Sequence, residues 1–170
     1  STSRRQRQMC IRDSAETGRV LYAHNEQEPR AIASTTKLMT ALVAAEYLGG
    51  DLSETVEIKR EWTGIEGTSL YLKPGETITL KTLLYGLLLH SGNDAAVALA
   101  GICGGEVETF VGWMNQRAQE LGCTDTHFAN THGCGEVASP SGIHVIDPTG
   151  AGDIFGGSAM SRFLKLNKAP

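Results

Sequence analysis

Apolar residues fall along this chain in blocks of two different periods. In "GRVLYAHN" apolar and polar residues alternate and give way to turn-formers, which predicts a strand from about Arg19 to Ala23. "EQEPRAIA" reads as a loop, with Pro29 disfavouring helix just before it. From Ser34 to Leu48 the pattern changes. Leu38, Met39, Ala41, Leu42, Val43, Ala44, Ala45 and Leu48 cover more than one stripe, and Gly49-Gly50 stops the run. A helix apolar nearly all round is buried on most sides, so this one is expected to be central. "ETVEI" and "ETITL" predict two short strands, with a Pro74-Gly75 turn in "KPGE". "LKTLLYGLLLHS" predicts a second helix ending at Ser91-Gly92, and "NDAAVALAGICGG" a third with Asn93 or Asp94 at its cap. "VETFVGWMNQRAQELG" predicts a fourth, with Val107, Phe110, Val111, Met114 and Leu121 at helical spacing. "THFAN" reads as a short extended piece. After Gly133 come a loop of small residues, "CGEVASPSG", a candidate strand, "IHVID", and a candidate helix, "GAGDIFGGSAMSRFLKL". The fold class expected is α+β, a helical cluster around a buried central helix with small β elements.

Composition narrows the classes. Hydrophobic residues make up 41% and charged residues 20% of 170 residues, which is ordinary for a globular domain and argues against disorder. A net charge of -4 gives no reason to expect nucleic acid as a partner. No apolar run reaches the roughly 20 residues of a membrane helix, so no anchor is expected in this stretch. The basic start lacks the apolar run of a signal peptide. Cys10, Cys103, Cys123 and Cys134 form no C-x-x-C pair, so neither a zinc site nor any other metal or cofactor is expected. They are expected to be free thiols. A disulfide among the last three cannot be assigned from spacing.

The chemistry concentrates in "ASTTKLM". Ser34 and Lys37 are three apart and share a helix face. A lysine held against apolar surface loses hydration, and its charged form is disfavoured. It can then take the serine proton without a histidine, the Ser-Lys form of nucleophilic catalysis. The same letters also describe a serine or threonine helix cap and a lysine that snorkels to solvent. A second cluster, "HSGND", sets Ser91, Gly92 and Asn93 at the junction of two helices. Ser91 there could relay a proton, and Asn93 could hold the lysine and a substrate amide. Asn93 could equally cap the third helix. His90, His127, His132, His144, Trp62 and Trp113 receive no role.

Order and context join the two clusters. "TGRVLYAHNEQEPRAIASTTKLMTALVA", "GTSLYLKPGETITLKTLLYGLLLHSGNDAAVALA" and "GCTDTHFANTHG" resemble the D-alanyl-D-alanine carboxypeptidases among the penicillin-binding proteins, relatives of the serine β-lactamases. The resemblance covers about two thirds of the chain. The family's boxes are S-x-x-K, S-x-N and K-T-G. The first two stand here in order; Lys81-Thr82 is followed by Leu83 and precedes the second box, so the third does not occur. The resemblance implies an incomplete β-lactamase/transpeptidase-like fold and an acyl-enzyme on Ser34. Lys37 would be the base, Ser91 and Asn93 proton shuttle and positioning groups, and the Ser34 backbone N–H half an oxyanion hole. It further implies peptidoglycan peptides ending in D-Ala-D-Ala as substrate, β-lactams as inhibitors and a place in the bacterial cell envelope. In the family K-T-G grips the substrate carboxylate and edges the oxyanion hole, so a chain lacking it is expected to bind weakly or be inactive.

Two segments stand apart. "VIDPTGAGDIFGGSAMSRFLK" resembles the C-terminal signature of ribokinase-like sugar kinases, in which Gly150, Ala151 and Gly152 would cradle a phosphate and Asp153 would be the base. "RQRQMCIRDS" resembles translated sequencing-adapter text. The expected organisation is a non-native or disordered leader at 1–14, a partial carboxypeptidase domain at 15–133, a linker at 134–142 and a kinase-like strand-turn-helix fragment at 143–170. The function expected is a serine D-Ala-D-Ala carboxypeptidase. The rivals are a carbohydrate-kinase fragment, which would bind nucleotide, and a non-catalytic β-lactam- or peptidoglycan-binding remnant.

Overall fold

Alternating residues at the start pair as a hairpin. In the computed structural model, which describes residues 10–14, 17, 19–24, 32–123 and 126–133, Cys10–Asp13 (β1) and Val20–His24 (β2) form an antiparallel two-stranded sheet. Cys10 lies opposite His24 and Arg12 opposite Tyr22, with an irregularity between Arg12 and Asp13. Residues 10–13 of the segment expected as a non-native or disordered leader are strand. The rest of that segment, the linker and the kinase-like fragment lie outside the described residues.

A 3-10 turn, Ala33–Thr35, leads into α1, Thr36–Leu48, which ends at Gly49 in the left-handed conformation with φ 64°. Thr55–Glu57 (β3) pairs antiparallel with Thr77–Thr79 (β4), Val56 opposite Ile78. Both were expected from their period. The Thr79 hydroxyl accepts from the Thr82 N–H and so caps α2, Leu80–Leu89. Then follow α3, Asn93–Gly104, and α4, Val107–Glu120.

The buried axis is α3, not α1. α3 is buried along nearly its whole length, and α1, α2 and α4 all pack on it. Its Ala95, Ala96, Ala98, Ala100 and Gly101 carry almost no side-chain bulk, so neighbouring helices come close on every side. α1 buries Thr36, Lys37, Thr40, Ala41, Val43 and Ala44 but turns Leu42 and Tyr47 outward. An apolar circumference alone did not separate the two. α4 buries Phe110, Met114 and Ala118, whereas Leu121, expected on the same face, lies just past the helix end and is exposed. Arg117 of α4 donates to Glu46 of α1 at 2.8 Å and to Glu120 at 3.0 Å. Trp62 is buried against α3 at Gly101, and Trp113 packs partly buried at the edge of the core.

Two helical glycines separate packing from propensity. A methyl on Gly101 would land on the Trp62 indole nitrogen, whereas one on Gly112 would meet nothing within 4 Å. Alanine favours a helix over glycine by about 1 kcal/mol, and overpacking a core costs roughly 1–3 kcal/mol. Gly112→Ala should therefore raise Tm and Gly101→Ala lower it, read by thermal unfolding. A rise for both would contradict this packing of Trp62.

Candidate active site

Ser34 sits in the 3-10 turn just before α1, with its side chain exposed. The cap positions of the turn and of α1, Ile32 and Thr35, make no side-chain cap hydrogen bond. The residue before Ser34, Ala33, has φ 44°. Lys37, one turn into the helix, is 3% exposed. Its Nζ lies 3.4 Å from Ser34 Oγ, 2.9 Å from Ser91 Oγ and 2.7 Å from the Ser91 carbonyl oxygen. The lysine does not snorkel. It turns inward, where polar oxygens meet an amine that has lost its water.

Ser91 reaches Lys37 with both its hydroxyl and its carbonyl, and its backbone is left-handed, φ 59°. A non-glycine residue there is strained and persists only where its surroundings hold it. α2 ends at Leu89, ahead of the expected end at Ser91-Gly92, with exposed His90 between them. The Gly92 N–H donates back to the Gly86 carbonyl at 3.2 Å.

Asn93 does not cap the third helix; it is the helix's first residue. The N-cap of α3 is Gly92, and no side chain caps it. Asn93 is 1% exposed; its Nδ2 donates to the Glu66 carbonyl at 2.6 Å and its N–H to the Thr68 carbonyl at 2.7 Å. It fastens a loop across the junction. Asp94, not singled out in the sequence, is 1% exposed and accepts from Ser69 and from three backbone N–H groups. Burial alone would raise its pKa, but those hydrogen bonds outweigh it and hold the carboxyl below its ordinary value.

A third segment closes on the same place. Asn115 of α4 donates to the Phe128 carbonyl and accepts its N–H, at 2.8 and 2.7 Å. The Thr40 hydroxyl donates to the Thr131 carbonyl at 2.7 Å. Asn130 Oδ1 accepts the N–H groups of His132 and Gly133. Gly133 then lies so close to the Ala33 carbonyl that a β-carbon would collide with it. His132 is half-buried in this segment. Burial first, and then the Lys37 charge, hold the imidazole pKa below its ordinary 6.5. No spacing signal in the sequence pointed to His132.

Other candidate chemistry is thin. Cys103 and Cys123 are free; burial pushes the Cys103 thiol up to about 11, which makes it a core residue and not a nucleophile. Among the described residues no three His, Cys, Asp or Glu side chains come together as a metal site.

The family model of the D-alanyl-D-alanine carboxypeptidases, Peptidase_S11, matches residues 5–141. The chain belongs to that family. Its relatives include the D-alanyl-D-alanine carboxypeptidases DacF of Bacillus subtilis, 41% identical over 71% of this chain and 32% of its own, and DacC of Escherichia coli, 39% identical over 69% and 32%. Among solved structures, the D-alanyl-D-alanine carboxypeptidase of Mycobacterium tuberculosis superposes with a TM-score of 0.72 at 35% identity, over 90% of this chain and 56% of that one. Penicillin-binding protein 6B of Escherichia coli gives 0.68 at 32% identity, over 86% and 46%. The chain thus spans about a third of the length of the curated relatives it matches. The carboxypeptidase family frame fits the mixed helical and antiparallel-strand architecture expected from the sequence.

The lowered His132 pKa has a stability consequence. A group depressed in the folded state contributes fully above its unfolded value, 6.5, and loses that contribution as pH falls through its folded value. His132→Gln should therefore lose less Tm than the parent between about pH 7.5 and about pH 5.5. Equal losses in both proteins would contradict the partial burial of His132.

Proposed function

We propose that this chain carries the acylation site of a serine-type D-Ala-D-Ala carboxypeptidase of the bacterial cell envelope, acting on peptidoglycan stem peptides and trapped by β-lactams. The observation that carries the reading is the position of the buried Lys37 amine, 3.4 Å from Ser34 Oγ and 2.9 Å from Ser91 Oγ. Desolvation disfavours an ammonium and favours an amine that can accept a proton. Ser34 Oγ attacks the carbonyl of the penultimate D-alanine, and its proton passes to Lys37. The C–N bond breaks, the terminal D-alanine leaves with a proton relayed through Ser91, and an ester on Ser34 remains. Water then hydrolyses the ester. The Ser34 N–H, at the head of α1, is placed to stabilise the oxyanion. Asn93 fixes the wall of the site, beside the amide-holding role expected for it.

Intact mass after incubation with benzylpenicillin tests this. A stable adduct should form and be absent in Ser34→Ala. Lys37→Ala should slow acylation by roughly 10²–10⁴-fold, the contribution of a positioned general base. A folded chain with no adduct would overturn the catalytic reading and leave a non-covalent binding remnant. An adduct that survives Ser34→Ala would place the nucleophile elsewhere.

A further inference from the structure

The Asp94 carboxylate faces out of its own helix. Its Oδ1 accepts the Ala95 N–H of α3 at 2.9 Å, as a first-turn acid often does. Its other contacts all go to the preceding loop. Leu70 N–H reaches Oδ1 at 2.9 Å, Leu72 N–H reaches Oδ2 at 3.1 Å, and the Ser69 hydroxyl donates to Oδ2 at 2.6 Å. The Tyr71 N–H donates in turn to Ser69 Oγ at 3.0 Å. The backbone from Ser69 to Leu72 is thereby curled around one buried anion. Tyr71, at the crest of the curl, has φ 59° and is 81% exposed. For a bulky residue this conformation costs energy, and the carboxylate holding the N–H groups on either side of it supplies the constraint.

The curl abuts the strained serine. The Leu70 side chain and Asp94 Oδ1 both crowd Gly92, where a β-carbon would meet them at 2.9 and 3.0 Å. Asn93, between Gly92 and Asp94, bonds the Glu66 and Thr68 carbonyls of the same loop. Residues 92–94 are therefore locked to 66–72, and the chain enters this lock directly from Ser91 at φ 59°.

We propose that Asp94 is a positioning residue of the active site. Its carboxylate registers the 66–72 loop against the Ser91–Asn93 elbow, and so keeps Ser91 in the strained conformation that aims its hydroxyl and carbonyl at Lys37. This rests on the acylation reading for its catalytic consequence, but its geometric consequence is independent.

Asp94→Asn tests it. The amide keeps the volume but turns one acceptor into a donor, which then faces N–H groups or the Ser69 hydroxyl. Two readouts are made: acylation by a fluorescent penicillin at saturating concentration, well below Tm, and amide hydrogen exchange. The saturated rate should fall about 10–100-fold, the scale set by sub-ångström to ångström misplacement. Exchange at Leu70, Leu72, Gly92 and Asn93 should quicken about tenfold or more while Phe110 and Met114 in α4 stay protected. Ser69→Ala removes one bond of the cage and should move both readouts the same way by less, which keeps the test open should Asp94→Asn fail to fold. Loop exchange that quickens without Gly92 and Asn93, exchange that rises evenly through the molecule, or an unchanged saturated rate would each overturn the proposal. A parent chain that is never acylated defeats the acylation reading instead, and the exchange pattern then decides the geometry alone.

Discussion

A lysine amine buried to 3% exposure is the constraint around which this site is built. Taking such a group out of water is costly unless oxygens replace the lost hydration. Here Ser91 replaces it twice over, with a carbonyl at 2.7 Å and a hydroxyl at 2.9 Å. Ser91 does so from a left-handed backbone, φ 59°, which persists only where its surroundings hold it. A further approach, at 3.4 Å, is to the exposed Ser34 hydroxyl. The amine is thus buried on the protein side and faces its reaction partner at the surface.

Holding that arrangement takes three separate pieces of chain. The 3-10 turn supplies Ser34, and the first turn of α1 supplies Lys37. The α2–α3 junction supplies Ser91, braced by Asn93 and Asp94 against the 66–72 loop. The 130–133 segment, tied down by Thr40 and Asn115, presses its glycine onto the backbone just ahead of Ser34. All three converge because α3 is narrow enough for α1, α2 and α4 to pack around it. The small side chains of one helix and the geometry of a site at its end are one structural fact.

Much of this was legible in the sequence, and what was not shares a physical cause. The helices and the β3–β4 pair followed from periodicity and stop residues. Ser34, Lys37 and Ser91 were found because a serine and a lysine three apart, and a serine at a helix junction, are local patterns with a chemical meaning. Asn93 was singled out, but its tie to the loop was not legible, because its partners, the Glu66 and Thr68 carbonyls, lie far back along the chain. Asp94 passed as one more residue in a first helical turn, and His132 as a lone histidine. Nothing local reveals that a loop some twenty residues away wraps one, or that the segment around the other is tied to α1 through Thr40. The central helix was misassigned for a similar reason. Periodicity counts apolar residues, but which helix lies inside depends on how closely neighbours can approach it.

The most direct measurement is the reactivity of Lys37 toward reductive methylation, mapped residue by residue by mass spectrometry on the folded chain. Lys59, Lys73 and Lys81 are exposed and should be methylated readily. Lys37 should resist, and should become reactive in Ser91→Ala, where its hydroxyl partner is gone. Methylation of Lys37 as fast as the exposed lysines would mean that the amine lies in solvent, and the account of a buried Ser34–Lys37–Ser91 site would be wrong.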